Sequence, residues 1–423
     1  MNATKSDPCK EVVIVGAGIG GLTLGLRLHR AGIPCRVYEI APEIKPLGVG
    51  ISLLPHATKE LTELGLLDAL TAVAITTSKI AYYNRFGQHI YDDPSGRNAG
   101  YQWPQFCIHR GDLQMVLLKA FVERVGADRV MTNHRCTGVE QDANGATAHF
   151  EHTATNEKLP SQRGSIVVSC EGIHSAIRKQ FFPDEGPPRY SGINMWRGVT
   201  RWKPFLDGNT FVRIGWHKPA KVLIYPIRDK IDAEGRQLIN WVCDIEQEQP
   251  VRERDWNKQG KLEDFIGTVE DWKFPWLDVP AMCRAADQIL EYPMVDQDPL
   301  PRWSHGRVTL LGDAAHPMQP RGANGGAQSI LDCTALTECL TSIADPVAAL
   351  KAYEDRRLPP TTQVVLTNRS APPDAVLEEV YRRTGDKPFR HIDDVISQSE
   401  LAGLLKRYQR VAGFDKEKLQ TAS

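Results

Sequence analysis

Three glycines, Gly16, Gly18 and Gly21, follow the apolar run Val12-Val13-Ile14-Val15, and Glu39 closes the next apolar run 18 residues beyond the last of them. Spaced as G-x-G-x-x-G between a strand and a helix, the glycines have separable uses. Gly16 lets the chain leave the strand in a tight turn, Gly18 lets the backbone approach a pyrophosphate, and Gly21 lets helix and strand pack closely. The helix then offers unpaired N–H groups and its positive dipole end to phosphate. A carboxylate at Glu39 can accept hydrogen bonds from both ribose hydroxyls of an adenosine. The glycines alone carry little. Strand, turn, helix and acid together occupy residues 12–39, about the 30-residue span of a βαβ unit. The chemistry is dinucleotide binding, and this half of the pattern is shared by NAD and FAD sites.

A second segment carries a different pattern. The apolar run Val308-Thr309-Leu310-Leu311 ends in Gly312-Asp313, and a loop with Gly322, Gly325 and Gly326 precedes a helix predicted over 327–340. Asp313 stands at the carboxyl end of a strand, where ligands bind in open α/β sheets, and its carboxylate can hold a polyhydroxyl chain. The glycines let backbone N–H groups approach a planar ring. The helix N-terminus behind them favours negative charge, such as that at N1 and the C2 carbonyl of a reduced flavin. His316, close to Asp313, is either a packed loop histidine or a pocket residue.

These segments resemble the single-component FAD-dependent aromatic hydroxylases, the family of para-hydroxybenzoate and salicylate hydroxylases. A third family segment, D-G-x-x-S-x-x-R, stands here as Glu171-Gly172-Ile173-His174-Ser175-Ala176-Ile177-Arg178, with Glu171 in place of the aspartate. Within the family the chain is most similar to the phenazine hydroxylase group, through residues 50–57, 312–317 and 410–415. The resemblance implies FAD as cofactor, with Glu39 on the adenosine ribose, Arg110 near the pyrophosphate and Asp313 on the ribityl chain. Gly50, Gly325 and Gly326 would lie against the isoalloxazine. It also implies a reaction in which NADH or NADPH reduces FAD, and O2 then yields a C4a-hydroperoxyflavin. The product is a hydroxylated aromatic or N-heteroaromatic small molecule, carboxylated or phenolic.

Arg197 and Tyr225 match places where relatives carry a substrate-facing Arg and Tyr, so the resemblance makes them the catalytic candidates. A guanidinium can hold a carboxylate or phenolate. A tyrosine hydroxyl can fix or deprotonate a ring substituent. An ordinary sheet-surface ion pair and a strand-end aromatic are the plainer readings of the same residues. Tyr190, Trp196, Tyr225 and Trp241 would suit a flat ligand, although sheet packing also accounts for them. Other flavin chemistries remain as alternatives, an oxidase or a halogenase, as does a non-catalytic binding protein of the same fold. The halogenase segment W-x-W-x-x-P is not matched by Trp196-Arg197-Gly198 or by 272–276, and a dehydrogenase would leave 312–326 unexplained.

The elements that must hold these residues read as α/β: a Rossmann-like FAD-binding lobe, an inserted antiparallel β-sheet substrate lobe and a helical C-terminal tail. The cofactor lobe is expected in three parts, 1–78, 109–184 and 301–374. Strands over 79–108 and a β-rich stretch over 185–300 make the substrate lobe, and 375–423 the tail. The stretches 209–216, 220–227 and 237–244 form its meander. Residues 1–10 are polar and read as frayed.

Composition narrows the partners. The 423 residues are 41% hydrophobic and 24% charged with a net charge of −1, which gives nucleic acid or an anionic membrane nothing to bind. Nine cysteines without CxxC or metal-ligand spacing suggest reduced thiols in the cytoplasm and no metal site. The uncharged run 12–26 is too short and too rich in glycine to span a membrane. The expected partners are a small aromatic substrate and O2, in a monomer or homodimer.

Overall fold

The strand Val12–Val15 is buried along its whole length, as four consecutive apolar residues require. It lies inside a six-stranded sheet ordered Ser304–His305, Val308–Leu310, Ile166–Ser169, Val12–Val15, Cys35–Tyr38, Val130–Met131. All pairings are parallel except the first, so five strands point their carboxyl ends to one edge. Gly16, Glu39, Glu171 and Asp313 all follow those ends within three residues. The computed structural model describes residues 11–248 and 259–421; the N-terminal ten, read as frayed, lie outside them.

The inserted sheet has seven strands, ordered Ile289–Asp296, Arg189–Trp202, Gln237–Glu246, Ala220–Arg228, Thr210–Trp216, Lys79–Tyr83, His89–Pro94. The meander expected over 209–244 is there, almost residue for residue. The sheet is mixed rather than wholly antiparallel, because Thr210–Trp216 pairs parallel with Lys79–Tyr83. Alternation sorts its faces. Val212, Ile214, Val222, Ile224, Ile239, Trp241 and Cys243 pack into one core with Trp196 and Phe265. The intervening residues face the cofactor lobe, and there the polar side chains gather.

Two further features position the site. Gly50–Leu53 pairs antiparallel with Phe106–His109, which places Arg110 directly after the strand that faces Gly50. The tail helices Ala375–Thr384 and Gln398–Ala412 cover the far strands, packing Val376, Leu377, Val380, Leu401 and Leu405 on Tyr82 and Ile90. A three-stranded antiparallel sheet, His134–Asp142, Gly145–His152 and Lys158–Gly164, was not legible in the sequence. Its outer strand reads exposed at four of seven positions and lacks apolar alternation.

Candidate functional site

The first glycine turn divides its labour as its spacing suggests. Gly16 has φ +103°, and a Cβ there would lie 2.5 Å from the carbonyl oxygen of Cys170. A Cβ on Gly21 would overlap the carbonyl oxygen of Gly16, so helix Ile19–Arg30 sits as close to the strand as a backbone can. Gly18 differs: a Cβ there would meet nothing within 4 Å, because the backbone borders open space at the helix N-terminus. That opening at a positive dipole end is what a pyrophosphate needs. Glu39 stands beside it, its two oxygens accepting from Ala17 N at 2.7 Å and Ala41 N at 2.9 Å. Gln114 Nε2 donates to Ala17 O at 2.9 Å and ties the helix after Arg110 to the same turn.

The second segment closes on the first. A Cβ on Gly20 would touch Ser329 Oγ at 2.5 Å, and one on Gly312 would touch the same oxygen at 2.6 Å. Helix Gly325–Ser342 therefore starts against the glycine turn and the strand end together. Asp313 is solvent-open at the crevice; a Cβ on Gly325 would lie 3.8 Å from its Oδ1, and one on Gly326 would lie 3.1 Å from Ile51 Cδ1. Protein walls push the Asp313 carboxyl up from its ordinary value, opposed by His316 and Arg110. Arg110 is exposed next to Gly48, whose Cβ position is 3.7 Å from it. Gly16, Gly18, Gly21 and Glu39 thus adjoin around Ala17, which the helix after Arg110 also bonds; Ser329 joins Gly20 to Gly312, and Gly325 and Gly326 stand beside Asp313 and Ile51.

Two residues turn out to be supports. His316 is buried and pairs through Nε2 with Asp332 Oδ2 at 2.6 Å, not with the crevice. Asp332 also accepts from Gly312 N at 3.2 Å and from Arg357 Nε at 2.7 Å. Burial alone would raise the Asp332 carboxyl; His316 and Arg357 outweigh it and hold it below the usual range. Glu171 faces inward and accepts from Ser169 Oγ at 2.8 Å and Ser175 Oγ at 2.7 Å. Its extra methylene lets it reach the start of the short helix Ala176–Phe181, and Arg178 ties that helix to the carbonyls of Ala314 and Ala315 at 2.9 and 3.1 Å.

A cavity of about 110 Å³ lies between the inserted sheet, residues 50–52 and the loop 320–323. Arg197 and Tyr225 both line it. Tyr225 stacks on Phe211 with centroids 4.4 Å apart, and Arg197 Nη2 reaches Gly50 O at 3.4 Å. Gly50 is wedged there, since a Cβ would lie 2.7 Å from both Tyr225 and Asn240. Burial pushes the Tyr225 hydroxyl well above the phenol range, with Arg197 opposing. Of the aromatics singled out by sequence, only Tyr225 faces this space. Trp196 and Trp241 belong to the core behind the sheet, and the Tyr190 hydroxyl bonds Gln247 O at 3.2 Å.

Sequence reading missed Asn240, whose Oδ1 accepts from Gly50 N at 2.7 Å and locks the two lobes together. Its signal was the alternation Asn240, Val242, Asp244 opposite Ile239, Trp241, Cys243. It also missed the buried charges at the cavity's other end. Lys221 Nζ pairs with Asp374 at 2.6 Å and Asp244 at 2.9 Å, and Asp374 also holds Arg213. Burial would raise the Asp374 carboxyl, but Lys221, Arg213 and Arg321 hold it far below the ordinary range. Its contribution to stability is therefore complete above an unfolded pKa of about 3.9 and is lost as pH falls below it. Asp374→Asn should destabilise the fold by about 3–5 kcal/mol at neutral pH, as expected when one partner of a buried ion cluster is removed. Denaturant unfolding of parent and variant at pH 7 checks this; equal midpoints would remove Asp374 from the stabilising network.

The FAD binding domain family matches residues 10–260 and 287–368. A phenazine 1,6-dicarboxylic acid hydroxylase of Lysobacter antibioticus is 44% identical over 405 residues, covering 95% of this chain and 97% of the relative. A 6-hydroxynicotinate 3-monooxygenase of Bordetella bronchiseptica is 29% identical, over 82% of this chain and 87% of its own. HpxO of Klebsiella pneumoniae, solved with FAD and uric acid, shares the fold with a TM-score of 0.74 at 24% identity, covering 97% of each chain. With the glycine turn and the Asp313 strand end both packed on the helix that carries Ser329, the chain belongs to the FAD binding domain family, among its FAD-dependent aromatic monooxygenases.

Proposed function

We propose that the chain hydroxylates a carboxylated aromatic or N-heteroaromatic small molecule held by Arg197 and Tyr225 in the cavity beside residues 50–52. The site suits FAD: Gly18 leaves open space at a helix N-terminus, Glu39 bonds the turn beside it, and Asp313 is exposed beside Gly325 at the start of the second helix. Gly16, Gly18, Gly21 and Arg110 would hold the pyrophosphate region, Glu39 the ribose, and Asp313 the ribityl chain. Gly50, Gly325 and Gly326 would border the ring system. Bound there, FAD would take reducing equivalents from NADH or NADPH and activate O2 for transfer of one oxygen atom to the substrate.

The remaining work belongs to the protein. Arg197 fixes the substrate carboxylate through paired N–H donors, which orients the ring. Tyr225 keeps its proton, because burial raises its hydroxyl far above neutral pH, and so donates a hydrogen bond to a ring substituent rather than removing a proton. Phe211, Leu223 and Val242 exclude water from the ring face. The Lysobacter and Bordetella relatives are both named for aromatic acids, which supports this substrate class.

The observation that carries the reading is Gly50, bonded through N to Asn240 and through O to Arg197, on the strand whose next residue abuts Gly326. The cofactor crevice and the cavity share that strand. Stimulated NAD(P)H consumption across a panel of aromatic acids, with product mass raised by one oxygen, tests it; no stimulation by any acid would refute it. Asp313→Ala should purify with most of its FAD lost, and full retention of the flavin would remove Asp313 from the site.

We assign the chain to the cytoplasm, a reading supported by eight unpaired cysteines among the described residues. No helix among those residues is long and apolar enough to cross a membrane.

A further inference from the structure

The register of the inserted sheet places two guanidiniums in one row. Arg197 stands opposite Val242, Val242 opposite Leu223, and Leu223 opposite Arg213, so all four share the face that lines the cavity. Three strand spacings separate the ends of this row, about 14 Å between Cα atoms. The floor between them is apolar.

The charges at the two ends differ in how they are answered. At the far end Arg213 and Lys221 are compensated by Asp374 and Asp244, and Asp93 faces Arg213 from the next cavity. Arg321, on the loop Pro320–Gly322, leans over the same end with its side chain only 9% exposed. Of the five donors of its guanidinium, two find partners among the described residues. Both bonds are long, to Asp374 Oδ2 and Asn368 O at 3.5 Å each. At the near end Arg197 reaches Gly50 O at 3.4 Å and the Tyr225 hydroxyl, both uncharged, and its buried Nε has no partner among the described residues. The cavity wall thus carries Arg197, Arg213, Lys221 and Arg321 against Asp244, with Asp374 behind them. With Asp93 counted, three carboxylates stand against these four cations. Arg197 at the near end pairs with no carboxylate among the described residues. Arg321 at the far end shares Asp374 with Arg213 and Lys221 through a contact of 3.5 Å, which leaves three of its donors without a partner among the described residues.

Resting on the reading above, we propose that Arg321 is a second anion anchor, which with Arg197 selects a flat fused-ring aromatic substrate bearing an anionic group at each end. The Asp374 cluster positions Arg321 and keeps Arg213 and Lys221 from competing for the ligand. A monoanion would satisfy one guanidinium and leave the other desolvated against an apolar ring, which costs binding. A dianion of matched length satisfies both.

The test uses the FAD-loaded full chain and two probes, phenazine-1,6-dicarboxylate and phenazine-1-carboxylate, with Kd read from the change in flavin absorbance. The parent enzyme should bind the dicarboxylate at least tenfold more tightly. Arg321→Met should bring that ratio close to one, and Arg321→Lys should restore part of it. Equal affinity of the parent for both probes would overturn the proposal, as would an unchanged ratio in Arg321→Met. Should Arg321→Met fail to retain FAD, the parent ratio and Arg321→Lys still decide: a lysine variant with the parent's affinity for both probes also refutes the anchor. Substrate-stimulated NAD(P)H oxidation by monocarboxylates without discrimination would refute this inference while leaving the hydroxylase reading intact.

Discussion

Gly21→Ala should abolish FAD retention and lower the melting temperature of the FAD-free protein, whereas Gly18→Ala should lose FAD affinity at an unchanged melting temperature. The difference follows from what each added methyl would meet. At Gly21 it would fall on the Gly16 carbonyl oxygen, with Ile14 Cγ2 at 3.3 Å, so the helix and the strand must separate. Overpacking of that kind costs about 1–3 kcal/mol and displaces the N–H groups aimed at the phosphates. At Gly18 an added methyl would meet no protein atom within 4 Å beyond its own chain neighbours, and φ is −72°, a conformation alanine adopts without strain. Its methyl would stand only in the space assigned to the pyrophosphate. We expect at least about a tenfold loss of FAD affinity, equivalent to about 1.4 kcal/mol. Thermal melts without flavin and FAD titrations of both variants separate these effects. FAD bound by Gly18→Ala as tightly as by the parent would mean that the cofactor does not pass over that residue.

The second large effect is expected at Arg197. Arg197→Ala should retain flavin and lose about 100-fold in kcat/KM toward an aromatic acid, the equivalent of about 3 kcal/mol for a charge-assisted pair. The guanidinium sits on the cavity face, where its partners are the uncharged Gly50 O, at 3.4 Å, and the Tyr225 hydroxyl. Removing it leaves a substrate carboxylate without its partner in a space floored by Val242 and Leu223. Stopped-flow reduction with and without substrate provides the measurement. Turnover equal to that of the parent would make Arg197 a structural residue and leave the substrate end of the site to Arg321 and Tyr225.

The legible parts of the site share one property: their meaning is local. The run from Val12 to Glu39 specifies a strand, a turn and an acid within one βαβ unit, and the structure places each as its spacing implies. The meander over 209–244 was legible for the same reason, since alternation and turn residues repeat over short stretches. His316 and Glu171 show where local reading stops. Both lie in motif segments, yet the partner of His316 is Asp332, sixteen residues on, while Glu171 turned inward to hold Ser169 and Ser175. A short motif shows which residues are near a ligand; it does not say which of them face it.

From the order of its residues alone, this chain settled the glycine turn, its acid, the second glycine segment and the alternating strands, because those depend on backbone geometry within a few peptides. Tertiary structure alone decided that Arg197 and Arg213 end one row, that Asn240 reaches Gly50, and that Asp374 neutralises charges about 150 residues away in sequence. The physical reason is register: many offsets between strands satisfy the same alternation, and only packing of the whole core selects the one that brings these side chains together.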